Sequence, residues 1–255
     1  MIESDKPLCS LLKRSVLSDN IRNILYKIEK GFMSNREFLH ILSLNPENFC
    51  IAKRDNRFKE IVMKSQIIIP DGIGIVLAVY FLYGEKIRRL AGVDLFQNLL
   101  DYAGKRCLTV LLIGGREGLA DKIAKCYNRK FSKDFCVGIQ GIENIKKVRK
   151  KEVDRIKNIV SSIKPYFVFV AFGSPWQEKW IWENKSIFNE CVVMGVGGGF
   201  DFVGGRVIRA PVFIRRLGLE WLFRLVIQPW RIKRQIRLLI FLVDIFFCKL
   251  KLRRK

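Results

Sequence analysis

Six short runs of apolar, largely β-branched residues punctuate the first two hundred positions of this chain. They are F-L-H-I-L-S-L ending at Asn45-Pro46, Ile67 to Ile69, Cys107 to Ile113, Phe135 to Ile139, Tyr166 to Phe172 and Cys191 to Val196. Amphipathic segments at 73–83, 94–105, 118–131, 144–163 and 176–185 alternate with most of them. A further helical period covers residues 10–30, with Gly31 as its stop. Strands this short and this apolar are buried on both faces, and their alternation with helices means a mostly parallel sheet covered on both sides. The expected fold is therefore α/β and Rossmann-like. Three regions are expected: an N-terminal helical segment at 1–34, the α/β domain at 35–205, and a basic amphipathic appendage at 206–255.

The boundary near Gly205 is a change of composition. Residues 206–255 hold fourteen Lys and Arg against Glu220 and Asp244 alone, interleaved with Trp, Phe, Leu and Ile. The whole chain carries a formal charge of +23, which calls for an anionic partner: nucleic acid, a phosphorylated substrate or an anionic membrane. The apolar stretch Leu238 to Cys248 is interrupted by Asp244 and falls short of the ~20 residues that cross a bilayer. Basic residues bracket it on both sides, which suits a helix lying in the membrane interface better than a core helix with a solvated basic face. Nucleic acid is the weaker partner, because no helix-turn-helix or RNA-binding pattern is present. The seven cysteines include no C-x-x-C pair and several sit in apolar runs, so reduced core cysteines in a cytosolic protein are expected. The polar start M-I-E-S-D-K-P has no signal-peptide character.

Two carboxylates stand where apolar strands end: Asp71 in I-I-I-P-D-G-I-G and Asp201 in G-V-G-G-G-F-D-F. In open α/β sheets, ligands bind beyond the carboxyl ends of the strands. His40, the single histidine, lies inside an apolar run and reads as a core residue, which leaves a carboxylate as the best general base. Asp71 is the leading candidate, and capping the helix that begins near Ile73 is its structural alternative. Gly114-Gly115-Arg116-Glu117-Gly118 follows a strand and opens a helix, the arrangement of a phosphate cradle, although a plain tight turn fits equally well. In A-F-G-S-P-W-Q-E-K-W, Gln177 and Glu178 fall at the same ligand edge. The D-x-D motif that holds a metal on a nucleotide diphosphate is missing, so arginines would have to neutralise that charge.

P-D-G-I-G at 70–74, R-L-A-G-V-D at 89–94, G-S-P-W-Q-E at 173–178, V-G-G-G-F-D at 196–201 and R-A-P…G-L-E-W-L-F-R-L…Q-P-W-R at 209–231 resemble the WecG/TagA/CpsF family of bacterial glycosyltransferases. The resemblance covers roughly residues 35–235 in order and spacing. It implies inverting transfer of an N-acetylmannosamine-type sugar from a UDP donor to an undecaprenyl-diphosphate-linked sugar, with no cofactor and no obligatory metal. It implies Asp71 as catalytic base, Ser43 and Asn45 as the family's T-x-N element with serine for threonine, and Arg89 as donor-site arginine. Gln177 matches a sugar-site glutamine, Asp201 a nucleotide-site acid, and Arg224, Arg231 and Arg234 the arginines that complete the site at the membrane. The implied partners are a UDP-sugar, a lipid-linked acceptor and the inner face of the cell membrane, with self-association left open. Pro229 is expected to break the appendage into two short helices.

Overall fold

The computed structural model describes residues 9–13, 17–18, 20–34, 37–229 and 232–253. Six strands, β1 (Leu39–Leu44), β2 (Ile67–Pro70), β3 (Val110–Gly114), β4 (Cys136–Ile139), β5 (Phe167–Ala171) and β6 (Val192–Gly195), form one sheet ordered β2-β1-β6-β5-β3-β4. Every pairing is parallel, so the carboxyl ends of all six strands open on one edge. The helices are α1 (Ile21–Ser34), α2 (Pro46–Arg54), α3 (Asn56–Lys64), α4 (Ile73–Tyr83), α5 (Gly92–Arg106), α6 (Leu119–Phe131), α7 (Lys150–Ile163), α8 (Trp176–Glu183), α9 (Gly199–Val203), α10 (Val212–Arg216), α11 (Glu220–Ile227) and α12 (Ile232–Arg253).

Strand alternation divides the core between the two faces of the sheet. Ile41, Ile69, Leu112, Phe169 and Met194 point to one face and pack with residues of α1, α5, α6 and α9. Leu42, Leu44 and Ile68 point to the other, where α2, α3, α4 and α12 cover them, while Leu111, Val170 and Val193 meet α7 and α8. Nearly every strand residue is buried, as a doubly covered parallel sheet requires.

The strand expectations hold, and four details of the sequence reading change. Helix α1 starts later, with Asn20 Oδ1 accepting the Arg22 N–H, and it continues through Gly31 to Ser34. Helices α2 and α3 fill the stretch 46–64, to which the sequence reading assigned no element. Their starts are marked by capping residues: Asn45 Oδ1 accepts the Asn48 N–H, with Pro46 in the first turn, and Asp55 accepts the Phe58 N–H. The appendage forms three helices, with the chain leaving α11 just before Pro229 as its φ restriction demands. Cys9 and Cys248 are joined in a disulfide, whereas Cys50, Cys107, Cys126, Cys136 and Cys191 are free. The partners of that disulfide are 239 residues apart and meet because α12 folds back onto the core, which spacing alone could not show.

Helix α12 is half core and half surface. Phe241, Ile245 and Cys248 are buried, and Phe241 stands edge-on to Phe49 of α2 with centroids 5.3 Å apart. Asp244, the residue that interrupts the apolar stretch, pairs with Lys53 of α2 at 2.8 Å, and Arg237 pairs with Glu47. Among the described residues no helix is long and apolar enough to cross a membrane.

Candidate active site

Asp71 is the first residue beyond β2, fixed by its N–H donating to the Leu44 carbonyl at 2.8 Å. It does not cap α4. The residue before that helix is Gly72, which has no side chain to offer, and its φ of 95° is one that other residues seldom adopt. The Asp71 carboxylate instead accepts the N–H of Gly92, the first residue of α5. A Cβ on Gly92 would lie 2.6 Å from Ser43 Oγ and 3.5 Å from Asp71 Oδ2. Glycine is therefore what lets the start of α5 sit against both side chains.

Burial dominates the electrostatics of Asp71 and pushes its pKa up to about 6. Arg224 pulls it down, Glu220 pushes it up, and Arg89 and the Gly92 N–H pull it down. A carboxylate poised there is ionised at neutral pH yet basic enough to take a proton from a hydroxyl in flight. His40, by contrast, is wholly buried near the amino end of β1, away from this edge. Its Nδ1 accepts the Trp182 indole N–H at 3.0 Å, and burial lowers its pKa to about 3.

Arginines from two parts of the chain meet beside Asp71. Arg89, just before α5, donates to the Arg215 carbonyl at 2.9 Å and lies 3.6 Å from Glu220. Glu220 also holds Arg224 at 2.9 Å and Arg209 at 3.5 Å. Asp94, in the first turn of α5, pairs with Arg209 at 2.6 Å and lies 3.7 Å from Arg215. The Arg224 guanidinium also sits 4.2 Å above the Phe202 ring of α9. Sequence reasoning singled out Arg89 and Arg224 but not Asp94, Arg209, Arg215 or Glu220. Three of those four, Asp94, Arg209 and Glu220, lie inside motifs already legible, R-L-A-G-V-D and R-A-P…G-L-E. Arg231 lies outside the described residues, and so does the side chain of Arg234.

A hydrogen-bonded chain ties this half of the edge to the other. Asn45 is spent on capping α2, while Asn48 donates to the Ser43 carbonyl and accepts from Ser174 Oγ, both at 2.9 Å. Gln177 is only 3 % exposed. Its Oε1 accepts the Gly173 and Gly197 N–H groups and its Nε2 donates to Glu178, so it braces the turns after β5 and β6. Gly195 has no room for a side chain, since a Cβ there would stand 2.6 Å from Gln177 Nε2. Burial raises the pKa of Glu178.

Beyond these turns, a cavity of about 320 Å³ opens at the ends of β3, β4 and β5, lined by Gly114, Gly115, Glu117, Gln140, Glu143 and Phe172 among others. The glycine turn adopts φ of 90° at Gly114, 77° at Gly115 and 69° at Gly118, and α6 opens with no side-chain cap. Asp201, on α9, faces this turn, with Oδ1 3.8 Å from Arg116 Nε. The edge thus has two halves: a carboxylate among arginines, and a cavity rimmed by glycines and acceptor groups.

The model of the glycosyl transferase WecG/TagA/CpsF family matches residues 9–255. The chain belongs to this family. Two curated relatives are each 30 % identical to it over 221 residues, 86 % of this chain. Both are N-acetylglucosaminyldiphosphoundecaprenol N-acetyl-beta-D-mannosaminyltransferases, from Bacillus subtilis (strain 168) and Bacillus spizizenii, matched over 84 % and 83 % of their lengths. This WecG/TagA/CpsF protein is therefore a glycosyltransferase with a six-stranded parallel sheet, and Asp71, Ser43, Arg89 and Arg224 come together at its strand ends.

Proposed function

We propose that the chain moves an N-acetylmannosamine-type sugar from a UDP donor to an undecaprenyl-diphosphate-linked sugar, with inversion. The relatives' names support the acceptor class and the sugar. The observation that carries the mechanism is the place of Asp71, half-buried at the end of β2 against Ser43 and the Gly92 N–H, with Arg89 and Arg224 beside it. In this reading the acceptor hydroxyl attacks the anomeric carbon and its proton passes to Asp71. The bond from that carbon to the UDP phosphate oxygen breaks, and the UDP leaves with its charge neutralised by guanidinium groups. The 320 Å³ cavity, with the glycine turn and Asp201 at its side, is of a size for the nucleoside. Ser43 and the braced glycine turns shape the space between the two halves. The basic appendage holds the protein at the inner face of the cell membrane, where the lipid-linked acceptor lies.

Two measurements test this. Asp71→Asn keeps the side chain's size but cannot take the proton, so UDP release with acceptor should fall ~10²-fold or more, while UDP binding changes little. Near-parental turnover would remove Asp71 from the mechanism. Charge neutralisation by arginines also predicts that transfer persists in excess EDTA. Loss in EDTA restored by magnesium or manganese would contradict an arginine-based leaving-group site.

A further inference from the structure

The group that organises the arginine cluster is Glu220. It is 7 % exposed, begins α11, and reaches three guanidinium groups at once: Arg224 and Arg209 through Oε1, Arg89 through Oε2. Arg89 belongs to the sheet domain, whereas Arg209 and Arg224 belong to the appendage. With Asp94 and Asp71, three carboxylates face four guanidinium groups, so the cluster keeps a positive excess when all are ionised. Among the described residues, Arg209 Nη2, Arg215 Nε and Arg224 Nε are buried donors without a hydrogen-bond partner. Folded proteins seldom leave such donors idle, and charged ones least of all.

We propose that Glu220 is a positioning residue for sugar transfer: its carboxylate clamps Arg89 to Arg209 and Arg224, holding the spare guanidinium donors toward a diphosphate ester beside Asp71. The inference deepens the proposed function and rests on its placing a diphosphate at this edge. Without the clamp, like charges at Arg89, Arg209 and Arg224 repel one another, and the appendage loses its ionic tie to the loop that bears Arg89. Glu220 touches no reacting atom. It acts through the arginines.

The diphosphate has two sources, the nucleotide and the lipid-linked acceptor, and binding separates them. Calorimetry of UDP and of a short polyprenyl diphosphate would be run on the full chain, on Glu220→Gln, on Arg224→Gln and on the double variant. Glu220→Gln keeps the shape and one acceptor oxygen but removes the charge that gathers the arginines. Weakening of about tenfold or more is expected for one of the two ligands, and the ligand affected names the source. The double variant should bind no worse than the poorer single one, because both changes remove one interaction. In turnover, KM for the same substrate should rise while kcat changes less. Unchanged binding of both ligands would overturn the clamp, as would effects that multiply in the double variant. So would equal losses in kcat/KM for both substrates that track a lowered melting temperature, the mark of a structural role alone. The binding arms need no base, so a silent Asp71→Asn would overturn the proposed mechanism and leave the clamp measurable.

Discussion

Asp71 shows what one half-buried, desolvated carboxylate can contribute and what it costs. If its carboxylate is the base, kcat/KM should rise with pH through an acid limb near 6, since only the ionised form accepts the proton. The same burial predicts a stability signature. A folded-state pKa of about 6 against the ordinary 3.8 means that the folded protein holds this proton more tightly than the unfolded chain. Stability from this group is therefore full below pH 3.8 and is lost as pH rises through 6. Asp71→Asn removes that penalty, so the variant should resist urea better than the parent at pH 8 and equally at pH 4 or below. A variant less stable at pH 8 would contradict the burial argument. Asp71 was legible because a lone acid beyond a β-branched run, with proline before it and glycine after it, has few other uses. Glu220 and Asp94 were not, since a carboxylate in a basic stretch reads as ordinary charge balance until folding brings Arg89 to it across 131 residues of sequence.

At the scale of elements, the apolar runs fixed the strands because a doubly covered parallel strand has one requirement, burial on both faces. The segment 45–65 was harder. Its helices α2 and α3 are each nine residues long, with starts marked by the caps Asn45 and Asp55, and only α3 shows a short apolar period, at Phe58, Ile61 and Val62. The appendage was legible as basic, apolar and broken near Pro229, but its attachment was not. The stretch Leu238 to Cys248 reads from sequence as an interfacial helix rather than a core one, yet Phe241 and Ile245 complete the core over α2 and α4. Helix α12 is thus a structural part of the α/β unit, and the boundary at residue 205 divides composition rather than packing. Phe241→Ala should cost about 3–5 kcal/mol, read as a lowered urea midpoint, because it opens a cavity against Phe49. Removing everything after Gly205 should do worse, exposing Phe49, Ala78 and Leu82 and destabilising the sheet domain itself. A truncated chain with parental stability would show that α12 contributes nothing to this core.

At the scale of the whole molecule, the described residues present an exposed apolar face on the side where α12 and α4 run together. On α12, Leu239, Leu242, Val243, Phe246 and Phe247 are each more than half exposed. Beside them α4 is apolar all round and leaves Leu77, Tyr80 and Phe81 in the open. Lys249 joins the two helices, donating to the Leu82 carbonyl with its ammonium 5.7 Å from the Phe81 ring. A patch of this kind on a single chain marks an interaction surface. We propose an anionic membrane as its partner, on the ground that the acceptor of the proposed reaction is lipid-linked. Each large apolar side chain that enters the interface contributes in proportion to the area it buries, and each nearby Lys or Arg adds roughly 1 kcal/mol. The two contributions separate experimentally. Attachment to vesicles containing phosphatidylglycerol should weaken with salt but not vanish, because the apolar term is unscreened. Replacing Leu239, Leu242 and Phe246 together by serine should remove the salt-resistant part and leave the melting temperature nearly unchanged, since none of the three lies in the core. Transfer to a lipid-linked acceptor in vesicles should then fall, while transfer to a short acceptor in detergent-free solution should not. If the triple variant floats with vesicles as the parent does at high salt, this face is not the membrane contact.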